Sequence, residues 1–519
     1  MAFKRVLTFL FLAFLPLYCF SDSRFQKLYG DTLDDDLVRV LKTTSGEYFL
    51  LGTADLGNSG NSKADIALYK TNLYGDLLYS YLFHDTSSSI PTDILENPDG
   101  TFTICGYIIN GQQDLTSMDF FLLRIDDAGT ILWENTYGIA GVPDQVRAMT
   151  SSGDGGIFLA GSSGDHGLVC KADEFGQIVW SFRMDSLPGN PMSYFNCITP
   201  TFDGGCVAAG WWTPSPPPNL FPKDLVTRFS STGQVLWSNS IEHSGANGWA
   251  RDITFMTDGG FLATGVHAGS GTPALSLYKL SSGGSITWGR VISSNGHDIT
   301  GTAVFEAIDG TILAGGSSNI NGPYEASLVR TDAAGLPIDC RTYAMGSISH
   351  IVDAFDGGYV MCGQYSGNPF HSEGYLIKAN DTGYTGCAEN SVTIQSVAAN
   401  YQTTPAGQPV ACQLDQGFAV LTGSPYINQF GQLCSWIGID ERAADQQPSL
   451  FPNPSSGRLV LKNPLLRPVA ADIFTAQGRK TATLRCEAET QRVLRLPELC
   501  PGIYLVRFDS GYSMKLVIE

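Results

Sequence analysis

The chain has 519 residues, 43% of them hydrophobic and 16% charged, with a formal net charge of −19. That length exceeds one ordinary core, so several domains or one repeat array are expected. The acidic excess lies between a basic first stretch and a basic C-terminal stretch. Nucleic acid and anionic membrane surfaces, which need clustered Lys and Arg, are therefore poor partners.

Residues 1–21 read as a signal peptide. Lys4 and Arg5 precede an apolar run from Val6 to Phe20 that is too short to span a bilayer, with cleavage expected near Ser21 to Ser23. No later segment is long and apolar enough for a transmembrane helix, so a soluble mature protein is expected. Removing Cys19 leaves eleven of the twelve cysteines. Cys486 and Cys500 could pair within one domain, and Cys197 and Cys206 could face each other across a hairpin. The remainder, such as Cys105 and Cys362, read as small buried residues. No Cys/His cluster has metal-ligand spacing, and neither a metal nor a cofactor is expected.

Residues 24–390 repeat themselves. SGEYFLLG (45–52), DGTFTICG (99–106), DGGIFLAG (154–161), DGGCVAAG (203–210), DGGFLATG (258–265), DGTILAGG (309–316) and DGGYVMCG (356–363) each join a turn dipeptide, an apolar run and a closing Gly. Later in each repeat comes a second run ending in a cation: Lys70, Arg124, Lys171, Arg228, Lys279, Arg330 or Lys378. A Gly turn and a last strand follow, which holds Trp133, Trp180, Trp237 or Trp288 in four repeats. Asp-Gly supplies the positive φ of a tight hairpin. Each repeat of about 51 residues thus reads as four strands, a propeller blade packed against its neighbours.

The fold expected is all-β: a seven-bladed β-propeller followed by a small C-terminal β-sandwich. The segment RFQKLYG (24–30) resembles the last strand of a blade (WENTYG, 133–138) and would complete the final blade. Within 391–445, LDQGFAVLTG (414–423) and NQFGQLCSW (428–436) echo the second and fourth strands, so this stretch reads as a degenerate repeat or linker, with eight blades as the alternative.

From 446 the composition changes. PNPSSG, a hairpin turning at Gln477-Gly478, LPELCPGIYLVR and a terminal KLVIE together resemble the type A C-terminal sorting domain of the type IX secretion system of Bacteroidota. The resemblance covers 450–519 and rests on Pro452, Asn453, Pro454, Gly457, Gly478, Gly502, Tyr504 and Lys515. It implies an Ig-like fold, the type IX machinery as partner, and delivery to the outer-membrane surface or the medium.

For the body, binding is the leading function and a polysaccharide-active enzyme or a structural surface protein the alternatives. No catalytic residue can be assigned: no nucleophile elbow or HExxH motif occurs, and Asp165, Glu242, Glu325 and Glu373 are unpaired in sequence. Loops between second and third strands are long and variable, where binding tends to sit. Trp211, Trp212 and Phe221 in GWWTPSPPPNLFPKD (210–224), with Trp249, are the candidate residues for a glycan or protein ligand.

Overall fold

The computed structural model describes residues 23–518 other than 56–62, 85–86, 110–117, 185–191, 214–220, 270, 387–388, 418–420, 426–428, 438–448, 452–457, 464–468, 476–479, 488–489, 496–501 and 509–512. The signal-peptide reading of 1–21 lies outside them. The chain divides into two units, Met1–Ser435 and Trp436–Glu519. Among the described residues every regular element is a strand.

In the first unit, four-stranded modules follow one another, each hydrogen-bonded in chain order. The first comprises Asp35–Lys42, Tyr48–Asp55, Ala64–Thr71 and Leu77–His84. Modules two to six begin at Ser88, Asp144, Ser193, Asn247 and Ile299. The long strand Pro337–Asp353 serves twice, closing the sixth module against Glu325–Thr331 and opening the seventh against Tyr359–Tyr365. The seventh is completed by Glu373–Ala379 and by the N-terminal strand Ser23–Gly30, in register Phe25↔Lys378 and Tyr29↔Gly374. RFQKLYG therefore occupies the place its sequence suggests.

Apolar clusters lie between consecutive modules. One of them joins the seventh to the first: Leu37, Leu50 and Leu82 pack with Val360, Cys362 and Leu376. The others span each successive pair. This explains why the second strands read as continuous apolar runs rather than alternating ones. Ile157–Ser163 is buried along its whole length because both faces meet a neighbouring sheet. These blade-like sheets fit a propeller.

Each first strand carries one extra residue, a β-bulge at Val38, Thr92, Arg147, Asn196, Arg251, Thr302 and Ser349. The closing Gly of each sequence repeat sits opposite. A Cβ there would lie 1.8–2.0 Å from the carbonyl oxygen of the residue two before the bulge, at Gly52, Gly106, Gly161, Gly210, Gly265, Gly316 and Gly363 alike. Glycine is thus a steric requirement of the bulge.

At the short-turn end the seven strand-ending cations are each ion-paired. Lys70 holds Asp127 at 2.6 Å, Arg124 holds Asp99 at 2.8 Å, Lys171 holds Asp154 at 2.5 Å and Arg228 holds Asp203 at 2.8 Å. Lys279 pairs with Asp258, Arg330 with Asp339 at 2.9 Å, and buried Lys378 with Asp356 at 2.5 Å. Hydrogen bonds from Lys171 and Ser152 push Asp154 down to about 2. The tryptophans lie over the turn of the following module: Trp133, Trp180, Trp237 and Trp288 abut Gly176, Gly233, Gly284 and Gly335, all with φ of +73° to +82°.

Among the described residues, 390–437 make no four-stranded sheet of their own. They run back along the outer edges of the modules and add one strand to each. Asn390–Ser391 joins Pro337–Asp353, Gln395–Ala398 joins Ile286–Ser293, and Gln402–Pro405 joins Val235–Glu242. Val410–Ala411 joins Ile178–Arg183, Asp415–Gly417 joins Ile131–Gly138, Thr422–Pro425 joins Leu77–His84, and Gln429–Ile437 joins Ser23–Gly30. We call this segment the strap. Its Ile394, Tyr401, Ala406, Leu414 and Leu421 enter successive clefts between modules. It thereby covers both apolar surface and sheet edges that would otherwise template foreign strands. The echo of second and fourth strands near 414–436 falls on the strap strands Asp415–Gly417, Thr422–Pro425 and Gln429–Ile437.

The second unit has a three-stranded sheet (Ser449–Phe451, Arg458–Asn463, Thr490–Arg495) and a four-stranded one (Val469–Thr475, Lys480–Cys486, Gly502–Phe508, Ser513–Ile518). Leu461 of the first packs with Ile473, Leu484, Tyr504, Val506 and Leu516 of the second, a small sandwich.

Two outcomes follow. Gly316→Ala is expected to cost about 1–3 kcal/mol, the usual range for overpacking, because its Cβ would meet Thr300 O at 1.8 Å. Gly271→Ala, in open space, should leave the melting temperature unchanged in the same assay. Second, burial raises Asp35 to about 7 and Asp144 to about 6, against carboxylate values of 3.8. The stability these groups lend is full below about pH 4 and is lost as pH rises through 6 to 7. Asp35 Oδ2 accepts from Asp31 N at 2.7 Å, while Oδ1 has no partner. Asp35→Asn should therefore raise the melting temperature at pH 8 and leave it unchanged at pH 4.

Candidate binding site at the bulged inner strands

The bulge fixes which side chains gather at the inner strands. The residues just after it are Arg39, Asp93, Ala148, Cys197, Asp252, Ala303 and His350, one per module. Five of these bear titratable groups, the buried Cys197 thiol among them. Arg39 donates from Nε and Nη2 to Asp93 Oδ1 and Oδ2, both at 2.6 Å. Asp93 Oδ2 also accepts from Met149 N at 2.9 Å, tying the second module to the third. Asp252 accepts from Ile253 N at 2.9 Å and from Val304 N, in the sixth module, at 2.8 Å. His350 Nδ1 lies 3.0 Å from Val40 O, tying the seventh module to the first.

Burial opposes the Arg39 charge, but Asp93 and then Asp252 outweigh it and raise its pKa. Burial raises Asp252 to about 6 although Arg39 pulls the other way. Burial and the Arg39 guanidinium hold His350 well below its ordinary value, so it is neutral. Arg39 thus interacts electrostatically with carboxylates of the second and fifth modules at once. This cluster joins modules, with Asp93 buried and Arg39, Asp252 and His350 half-buried.

One step toward the long-loop end the character changes. Bulge side chains Thr92, Asn196 and Thr302 donate to the pre-bulge carbonyls of the next module, at Val146 (3.0 Å), Ala250 (2.8 Å) and Ile348. Arg147 and Arg251 are exposed instead. Arg147 Nη2 lies 3.3 Å from Gln145 Oε1 and its guanidinium is 6.0 Å from the Tyr194 ring centre. Tyr194 in turn pairs across strands with Trp211, their ring centres 4.8 Å apart. Trp249 holds on the fifth module the register that Tyr194 holds on the fourth, and both are half-buried.

The four aromatic candidates therefore separate. Trp211 and Trp249 stand at equivalent depth on adjacent modules. Trp212 points the other way, as strand alternation requires. It packs into the cluster between modules three and four and donates from Nε1 to Ser240 Oγ at 2.8 Å. Phe221 is 61% exposed, at the end of 214–220, which lies outside the described residues. Tyr194, Arg147 and Arg251 escaped the sequence reading.

Asp165, Glu242, Glu325 and Glu373 fall on the third, fourth, sixth and seventh modules and are not gathered. Glu242 pairs with Lys223 at 3.3 Å and Glu325 accepts from Asn321 at 2.6 Å. A buried dyad does occur elsewhere: His243 Nε2 lies 2.8 Å from Asp224 Oδ2, and His243 Nδ1 lies 3.3 Å from His267 Nδ1. The His243 and Asp224 side chains have no solvent exposure. The strap's Tyr401 sits over the His243 ring at 4.5 Å, so the dyad pins the strap rather than facing a substrate.

Cys197 and Cys206 do not face each other. Cys197 pairs with Ala209 and points into the cluster between modules four and five, whereas Cys206 points into that between three and four. Cys486 is buried beside Leu461 O and Thr490, and Cys500 lies outside the described residues. No group of three metal-ligating side chains occurs among the described residues. No helix among them is long and apolar enough to cross a membrane.

Of the sorting residues, Pro452, Asn453, Pro454, Gly457 and Gly478 lie outside the described residues. Gly502 opens one strand of the final hairpin, opposite Ile518, and Lys515 stands opposite Leu505. Tyr504 is buried in the sandwich core.

No curated protein sequence matches this chain. Among solved structures, Drosophila Plexin A in complex with Semaphorin 1b is similar at 10% identity and a TM-score of 0.36, over 67% of this chain and 87% of that one. Prolyl oligopeptidase B from Galerina marginata is similar at 11% identity and a TM-score of 0.27, over 94% of this chain and 55% of that one. At these scores neither likeness carries an argument. Residues 449–519 match the family model for the secretion system C-terminal sorting domain, Por_Secre_tail. The C-terminal segment is that sorting domain, and the chain is a type IX secretion substrate delivered to the extracellular space or cell surface.

Proposed function

We propose that the first unit is a closed seven-bladed β-propeller acting as a surface-displayed saccharide-binding module. In this reading residues 1–21 are a cleaved signal peptide and the source is a bacterium of the Bacteroidota. The observation that carries the proposal is the Tyr194–Trp211 ring pair at 4.8 Å, with Trp249 at the same register on the next module. Half-buried aromatic rings at the long-loop end of a rigid sheet suit the apolar face of a sugar, since they present large contact area at little entropic cost. The sorting domain supports a position where such ligands are met.

On an oligosaccharide array, the full chain should lose at least tenfold in affinity on Trp211→Ala or Trp249→Ala, equivalent to about 1.4 kcal/mol. Unchanged melting temperatures would show that folding is intact, and equal binding by wild type and both variants would overturn the reading. Deleting residues 449–519 should retain the protein within the cell envelope, as read by fractionation and immunoblot. Undiminished release of the truncated chain would count against the sorting role.

A further inference from the structure

We propose that Arg147 and Arg251 form an anion-recognition pair that makes this site selective for acidic saccharides, bearing a ring carboxylate or a sulfate ester. The inference rests on the saccharide-binding reading and names its ligand class.

Both arginines occupy the bulge position, on the modules flanking the one that carries Tyr194 and Trp211. Elsewhere in this register the polar side chains of Thr92, Asn196 and Thr302 are used up in bonds to a neighbouring module. Arg251 has no hydrogen bond or ion pair among the described residues, and Arg147 reaches only Gln145 and the Tyr194 face. That is unusual for a chain of net charge −19, in which the seven repeat cations each have a carboxylate.

The two like charges are exposed on the modules either side of Tyr194, and burial and then the Arg147 charge lower the Arg251 pKa. The carboxylates of this face have other partners: Asp36 Oδ1 accepts from Thr53 N at 2.9 Å and Thr53 Oγ1 at 2.7 Å, and Asp165 Oδ1 accepts from the Tyr194 hydroxyl at 3.5 Å. An anion would offset the two like charges, and planar guanidinium suits the paired oxygens of carboxylate or sulfate. A sugar ring against Trp211 places such a substituent toward Arg147.

The test measures binding of the full chain to oligogalacturonate, chondroitin sulfate, neutral cello-oligosaccharide and polyglutamate, at low and high salt. Wild type should bind at least one acidic saccharide tenfold or more tightly than the neutral one, with the difference shrinking in high salt. Arg147→Gln/Arg251→Gln should abolish that preference while keeping neutral binding and the melting temperature. The two saccharide arms tell carboxylate from sulfate. Equal binding of acidic and neutral saccharides by wild type would overturn the arginine pair and leave the aromatic reading standing. Polyglutamate bound as tightly as the acidic saccharides would overturn the saccharide assignment, and no saccharide binding at all would overturn both readings.

Discussion

Every inner strand of the first unit carries one residue more than its partner strand can match, and a glycine opposite gives it room. The missing Cβ is not a matter of flexibility. With any side chain at that point the two backbones could not approach to hydrogen-bonding distance, because the Cβ would sit within 2.0 Å of a carbonyl oxygen. The bulge swings consecutive side chains into different surroundings. The residue after it turns into the Arg39–Asp93–Asp252 cluster, whereas the bulge residue itself is free to bond a neighbouring module or to meet solvent. The locking contacts and the exposed arginines are therefore two outputs of one backbone irregularity.

Charge is distributed with the same division. At the short-turn end cations and carboxylates neutralise each other pairwise, and most of these carboxylates are more than half exposed. Such pairs add little stability singly. Their value is positional, since Arg124 and Arg228 also donate to backbone carbonyls of the following module, Glu174 O at 2.6 Å and Ser282 O at 2.7 Å. At the inner strands the Arg39–Asp93 pair is largely buried and bidentate, where removal of one partner would strand the other.

The four-stranded repeat, the order of its strands and the closing role of the N-terminal segment could all be read from the sequence, because turn, apolar run and glycine recur at nearly constant spacing. The sorting domain was legible through its separated motifs. The strap was not. Its strands are two to four residues long over most of its course, mostly exposed, and take their conformation from the edges they cover. Nothing in SVTIQSVAANYQTT announces a strand because its partners lie 50 residues or more upstream. Trp212 shows the limit of reading exposure from a loop's composition: strand alternation, not the adjacent prolines, decides its direction. The inner cluster was in principle visible. Arg39, Asp93, Asp252 and His350 all stand six residues before the turn residue of their repeat, where other repeats have Ala or Cys. A charged residue recurring at an apolar phase was the signal.

The N-terminal strand Ser23–Gly30 is held between Glu373–Ala379 on one side and Gln429–Ile437 on the other. Its hydrogen-bonding edges are thus satisfied only by residues roughly 350 and 400 positions later in the chain. Loop-closure entropy grows slowly with length, by about 0.6 kcal/mol per doubling, so this arrangement costs little at equilibrium. The penalty is kinetic, since distant pairings slow folding. A growing chain emerging from the ribosome cannot pair this strand on either edge until almost the entire body has been synthesised, so the seventh module is the last to be completed.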